Sequence, residues 1–459
     1  MTDHQTIVIL GALIMGALAV AGLLRPFFGL LVLITIYYVQ PAELIPALEP
    51  LHIERTYAIA LLLAFLLQRP SNSERPVLNP ILRAGMALVG VAALSVPFAV
   101  WRGGAVEATV NLAKLIIYLF LLSTLIDTKD RMRKVLWLLA GLLAWISGNG
   151  FLSYLQGNFI VRQGIDRAVG ETSIVGDPNA LASTISGLLP LVFVLWRCSQ
   201  KILQRLLLLG LMLLALATMV VTGSRTGLIG LAVIVLYYVF NSRHKVAALA
   251  LCAVVAIVLW LAMPRQYQER YLTTVHFAQG EKLDDSNELR VHLWKAGWRM
   301  FLDHPILGVG AGQFSTAYGT FYSGAKHGAW MSPHSLFFQV AAELGLVGLV
   351  AFGSFLFRVV RANLFVLKAH AGDQQGWDYQ LALALGAALL GYAVVSVTGH
   401  TFFSPRWYFT AGLIAANFWL TQTSLASTTA VAGSEDLGIE SRGDEPELVW
   451  GEDFVKGRG

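Results

Sequence analysis

"WMSPHSLFFQVAAELGLVGLVAFGSFLF", residues 330–357, is the stretch whose reading decides the fold class. Pro333 and His334 stand directly before an apolar run, and the run's one carboxylate, Glu343, lies nine positions after the histidine. About 20 apolar residues cross the hydrocarbon of a bilayer, so a run of this length predicts a membrane helix. Similar runs cover approximately 7–24, 27–39, 55–68, 80–100, 107–126, 132–155, 179–196, 205–222, 224–241, 245–262, 334–360, 379–400 and 406–421. Backbone polar groups in lipid must be satisfied within each segment, so the spans are helical. The expected fold is an all-α polytopic membrane protein with about 12 transmembrane helices.

Composition agrees. Of 459 residues, 56% are hydrophobic and 13% charged, about half the charged fraction usual for soluble domains. The net charge of +5 is spread over short loops, which reads as a topology signal and implies no nucleic-acid partner. Cys198 and Cys252 fall at the end of one apolar run and inside another, suggesting neither a disulfide nor a metal site. The run "TIVILGALIMGALAVAGLL" lacks a basic leader and a small-residue cleavage site, so a retained span is expected.

Clusters of Lys and Arg set orientation. "DTKDRMRK", "RCSQKILQR", "NSRHK" and the stretch from Arg358 to Lys368 alternate with connections poor in clustered positive charge. Placing the basic set in the cytoplasm puts 40–54, 156–178, 222–227 and 263–333 on the other side. This divides the chain into a transmembrane bundle at 1–262, a periplasmic loop domain at 263–333 and transmembrane helices at 334–421. A disordered cytoplasmic tail is expected at 422–459, from its Ser, Thr, Gly and acidic content.

The loop domain is too long for a bare connection, and "DDSNELRVHLWKAGWRMFLDHP" within it has a helical period. Asp285 with Glu288 resembles a capping box, and Pro305 follows the end. Arg290, Trp294, Trp298 and Phe301 share one stripe. Such an amphipathic helix is expected to lie against the membrane surface or the bundle. An arginine on its buried side needs an anionic partner.

Three stretches could carry chemistry. "VVTGSRTGLIGL" places Arg225 in a glycine-flanked turn between two apolar runs. There it can grip a diphosphate with a planar fork or serve as an interfacial anchor. "NFIVRQGIDRAVGETSIVGDPNALAS" carries Arg162 and Arg167, then Asp177-Pro178 in the pattern of a helix cap and first turn. Its arginines read equally as phosphate ligands or as surface charges. His334 precedes a helix start, where the dipole disfavours the charged imidazole. A neutral imidazole can take a proton from a hydroxyl, while a capping or packing role is the alternative. Glu343 would face roughly away from it at 100° per residue, as a buried, partnered or protonated structural group. Lys114 within "NLAKLIIYLF" would pair with an anion or snorkel.

Other chemistries lack their signatures. There is no HExxH, Walker A, GxSxG or D-x-D sequence. "GVGAGQF" at 308–314 follows a helix rather than a strand, against a dinucleotide site. Asp284 and Asp285 with Glu288 read as a helix start before a cation site. No metal and no cofactor is expected. Arginines and a histidine on one face, without nucleotide or metal motifs, suit an already activated lipid diphosphate whose leaving group needs charge stabilisation.

Together, "TGSRTGLIGL", "LRVHLWKAGWRMFLDHPILGVGAGQF" and "SPHSLFFQVAAELGLVGLV" resemble, in order and spacing, the bacterial O-antigen ligase and polysaccharide polymerase superfamily. The N-terminal "LLRPFFGLLVLITIYYVQPAEL" is similar to the exosortase-associated O-glycosylation ligase branch. The family has Asn after the histidine, where this chain has Ser335. The resemblance implies a metal-independent glycosyltransferase of the inner membrane with its active site facing the periplasm. It would pass a glycan from undecaprenyl diphosphate to a lipid A–core hydroxyl. By matching position, His334 takes the base role, and Arg225 and Arg290 the diphosphate-binding role. Arg162, Arg167, Asp177, Asn179, Ser224 and Ser335 become candidates for substrate binding. A glycan polymerase and a protein O-glycosylating transferase would differ only in acceptor. A transporter, the alternative of another class, should show paired interrupted helices and a midplane site.

Overall fold

A computed structural model describes residues 16–68, 78–162, 164–269, 272, 285–324 and 330–437. Residues 16–24 are helical. Twelve longer helices of the bundle and its flanks then follow among the described residues: α1 (Pro26–Val39), α2 (Ile53–Gln68), α3 (Pro80–Ser95), α4 (Arg102–Leu125), α5 (Lys129–Leu155), α6 (Pro178–Cys198), α7 (Ile202–Val221), α8 (Arg225–Phe240), α9 (Lys245–Ala262), and, beyond α10 (Asp285–Asp303), α11 (Leu336–Ala369), α12 (Trp377–Val397) and α13 (Pro405–Leu437). A two-stranded antiparallel hairpin, β1 (Ile160–Arg162) and β2 (Ile165–Arg167), sits between α5 and α6.

Local chemistry sets the starts. Proline occupies the first position of α1, α3, α6 and α13, where its missing N–H costs nothing. Asn79 accepts a hydrogen bond from the Leu82 N–H at 2.8 Å, and Thr128 from the Arg131 N–H at 3.2 Å. Asp177 accepts from the Asn179 and Ala180 N–H groups at 2.8 and 3.3 Å. Ser224 accepts from the Gly227 N–H at 3.2 Å.

Among the described residues, eight helices are long and apolar enough to cross a membrane, and three more, Pro26–Val39, Arg225–Phe240 and Lys245–Ile257, are apolar but shorter. The sequence expectation was about 12 spans. For the three shorter helices the shortfall is one of length, since at 1.5 Å per residue the 16 residues of α8 reach about 24 Å, short of a hydrocarbon core of about 30 Å. Helix α13 is long but not among the eight, and residues 7–15 of the first expected run lie outside the described residues. The protein is a multi-pass membrane protein with an all-helical fold. Helix α13 runs past the expected boundary at 421 to Leu437, and residues 438–459 of the expected tail lie outside the described residues.

Helices α6 and α12 form the centre, with α5, α7, α8 and α11 around them. In lipid, association depends on close packing rather than on hydrophobic transfer. Gly187 shows this: a Cβ there would run into the Tyr392 ring. The half-buried Lys114 bonds Glu54 at 3.3 Å, and the Tyr118 hydroxyl donates to the same carboxylate at 2.6 Å. Lys114 is therefore paired, one of its two expected outcomes.

The connections fall at two ends. One carries the basic loops, where Lys129 meets Asp378 at 2.7 Å and Arg243 donates to Gln374 at 3.3 Å. Arg197 bonds Gln375 there as well. The other end gathers the starts of α6, α8, α11 and α13.

Candidate functional site

The site is built where α11 begins. This helix is not continuous: Gly345, at φ 63° and ψ −157°, interrupts it. The break is paired with the segment after α10. Leu346 N–H bonds the Pro305 carbonyl at 2.8 Å, Val309 N–H the Ala342 carbonyl at 2.8 Å, and Gly310 N–H the Glu343 carbonyl at 3.0 Å. The "GVGAGQF" glycines thus have a structural role. Gly308 sits at φ 67°, and a Cβ on it would lie 2.5 Å from the Ala342 carbonyl oxygen. Only glycine fits a backbone that close with that handedness.

Glu343 closes the motif. It is buried, and its Oε2 accepts the Gly312 N–H at 3.0 Å. The Phe314 N–H and the Gln339 side chain also face it. This is the partnered structural carboxylate expected from its position.

The segment also fixes α10. Leu293, Ala296 and Met300 are buried together with Val309, Phe314 and Tyr318. The buried face of α10 is therefore this aliphatic one. The Trp stripe flanks it: Trp298 is exposed and stacks on Phe301 with ring centres 5.2 Å apart. Trp294 stacks on Phe338 at 5.7 Å and donates its indole N–H to the His334 carbonyl at 3.2 Å. Arg290 is half-buried one turn earlier.

His334 is half-buried with its backbone at φ 47°, a left-handed conformation outside glycine. Such strain costs on the order of 1–3 kcal/mol and persists only where surroundings impose it. Buried Pro333 and Ser335 on either side and the Trp294 bond do so. Burial lowers the His334 pKa to about 4, with His400 and Arg290 acting in the same direction and Asp177 against them. The imidazole is thus neutral, as expected. The leading cause is desolvation rather than the helix dipole.

Asp177 and Asn179 stand at the start of α6. The Asp177 carboxylate caps the helix, and Arg162 reaches it at 3.4 Å. Arg167 is buried; its Nε donates to the Thr222 carbonyl at 2.7 Å and a terminal nitrogen donates to Asn179 Oδ1 at 3.2 Å. The same Oδ1 accepts from the Ser224 hydroxyl at 2.8 Å. Arg167, Asn179 and Ser224 therefore fasten the turn that presents Arg225 to the start of α6. Gly227 lets the two helices touch, since a Cβ there would lie 2.5 Å from that of Ala182. Arg225, half-buried, is the first residue of α8.

Sequence reasoning missed the turn between α12 and α13. The Thr226 and Thr398 hydroxyls are 3.2 Å apart, tying α8 to this turn beside Arg225. Phe402 N–H donates to Gln339 at 3.1 Å, and Arg406 donates to Thr184 at 2.8 Å and the Ala180 carbonyl at 3.2 Å. Between these anchors, His400 faces His334 with ring centres 5.4 Å apart. The polar "TGH" interrupting two apolar runs was the available signal.

The arrangement defines a multi-pass helical membrane protein with a cationic, imidazole-bearing site at one end of its bundle. Residues 210–353 match the model of the O-antigen ligase family, so this part of the chain carries that domain and the resemblance read from its motifs is borne out. The matched stretch holds Ser224, Arg225, Arg290, His334 and Ser335. No curated protein matches the chain significantly.

Proposed function

We propose that the protein is an O-antigen ligase of the bacterial inner membrane, acting at the periplasmic face. It takes a glycan from undecaprenyl diphosphate and passes it to a hydroxyl of the lipid A–core oligosaccharide. The observation that supports this best is the assembly around His334: Arg290 and Asp177 face the neutral imidazole, and the Arg225 turn is tied to the same end of the bundle. Helices α6, α8 and α13 also begin there, and helix N-termini favour anions.

The chemistry follows from these groups. The acceptor hydroxyl gives its proton to His334 as its oxygen attacks the sugar's anomeric carbon. The bond from that carbon to the diphosphate breaks in the same displacement. Arg225 and Arg290 hold the charge that builds on the departing diphosphate, fixed in place before reaction. No divalent metal is needed, and activity should survive a chelator. Magnesium or manganese restoring chelated enzyme would overturn that point. Arg162, Arg167, Asp177, Asn179, Ser224 and Ser335 frame the donor side, several of them by holding the turn.

A polymerase and a protein O-glycosylating oligosaccharyltransferase differ in acceptor only. A transporter is disfavoured because the unusual polar groups gather at one end instead of the midplane. The test is glycan class in a deletion strain. Loss of capped lipopolysaccharide, restored by wild type and not by His334→Ala, is expected. Single-repeat capping would instead mean polymerase, and intact lipopolysaccharide with unmodified protein would mean protein glycosylation.

A further inference from the structure

His400 has no part in the reaction as written, yet the turn between α12 and α13 holds it in the same site. That turn is fixed on three sides: to α8 through Thr398 and Thr226, to α11 through Phe402 and Gln339, and to its own ends through Thr401, whose hydroxyl donates to Ser396 at 2.5 Å and accepts from the Trp407 indole at 3.2 Å. A turn tied down this thoroughly fixes the place of the side chain it carries. The rings of His400 and His334 stand 5.4 Å apart at 83°, edge to face. Two imidazoles this close in a partly dehydrated site cannot both carry charge cheaply.

We propose that His334 and His400 form one imidazole pair that holds at most a single proton, which His400 takes up first on acidification, so that His334 stays free as the base to lower pH. The choice of carrier follows from the neighbouring charges, because Arg290 opposes a proton on His334 while the charge acting on His400 is the Asp177 carboxylate, which favours one. Arg290 on α10 faces His334, and Asp177 at the start of α6 faces both rings. Both imidazoles lie below the ordinary histidine range, chiefly through burial, and His334 is further lowered by His400 itself. His400 is in this sense a positioning residue, acting on the reaction through His334. The proposal rests on the reading of His334 as the base.

The test is a histidine NMR titration of the purified full-length protein in lipid nanodiscs, from neutral to acid pH, with signals assigned from the variants. In wild type, the His334 signal should show a second inflection where His400 titrates. In His400→Gln its midpoint should rise by about one unit or more, the coupling at which two sites behave as a pair. In His400→Lys, which carries a fixed charge, the midpoint should stay at or below wild type. The acid limb of kcat/KM should move the same way: a base must be unprotonated, so raising its midpoint makes activity fail at higher pH on acidification. The same His334 titration in all three proteins would overturn the pair. So would a uniform loss of activity at every pH with the His334 midpoint unchanged, since His400 would then act on substrate directly. Should His400→Gln fold poorly, a wild-type His334 curve without the second inflection overturns the pair by itself. His334→Ala separates the two readings. If it retains transfer, the base assignment fails whatever the titrations show. If it is inactive while the titrations coincide, only the pairing fails.

Discussion

At the basic end of the bundle, Lys129 meets Asp378 at 2.7 Å, Arg131 meets Asp127 at 2.6 Å and Lys134 meets Asp130 at 2.6 Å, mostly in the open. At the other end, the buried Arg167 joins Thr222 and Asn179, Asn179 joins Ser224, and the buried Glu343 accepts from the Gly312 N–H. Exposed pairs are worth little because water and salt screen them. Buried polar groups are expensive to leave unpaired, so their networks hold one geometry. The basic end, with its exposed pairs, therefore tolerates loose geometry. The His334 end needs fixed geometry, and uses buried hydrogen bonds and strained backbone to obtain it.

The largest expected effect lies at the second end. His334→Ala should lower transfer by about 10²–10⁴-fold, the usual worth of a positioned base, with normal amounts of inserted protein. Near-normal transfer by such a variant, assayed with lipid-linked donor, would break the contrast at its most important point.

Next come the arginines. Arg225→Ala and Arg290→Ala should each lose about 10²–10³-fold in kcat, as for removal of one fixed donor to a developing anion. The Lys variants should fall between these and wild type, because lysine keeps the charge and loses the planar fork. If both residues act on one leaving group, the double variant should be clearly less than additive. Full activity in both Lys variants, or unchanged donor binding in both Ala variants, would defeat this.

A smaller effect concerns the framework. Arg167→Ala leaves the buried Thr222 carbonyl without its side-chain donor and removes one of the two donors to Asn179 Oδ1, and should destabilise the protein by about 1–3 kcal/mol. Thermal unfolding in detergent reads this directly. An unshifted unfolding temperature alongside weakened donor binding would instead make Arg167 a substrate ligand first.

The smallest effect belongs to the basic end. Lys129→Ala should change stability by no more than about 1 kcal/mol, with the difference shrinking in high salt. A large, salt-insensitive loss would mean that this end is as tightly built as the other.

Much of the candidate site was readable beforehand, for a physical reason. Arg225 follows a Ser cap and lies between glycines, and His334 follows a proline at the head of an apolar run. Each is a local signal, set by a few neighbouring residues. On α10 the Trp stripe stood out by residue type, while the face packed against the protein is made by Leu293, Ala296 and Met300. Side-chain size on a periodic plot does not say which flank meets a neighbour. His400 was missed because nothing near it in the chain marks it as close to another imidazole.

By itself, the sequence determined the membrane class, the placing of the helices, the alternation of basic and non-basic ends, and the order of the family motifs. These depend on hydrophobic runs, caps and charge counts, which the bilayer reads segment by segment. Only the tertiary structure decided that Gly345 breaks α11 against Pro305 and Ile306, that Arg167 turns inward to hold the Arg225 turn, and that His400 faces His334. Those are contacts between segments far apart in the chain, and close packing selects them from many pairings that local chemistry allows equally well.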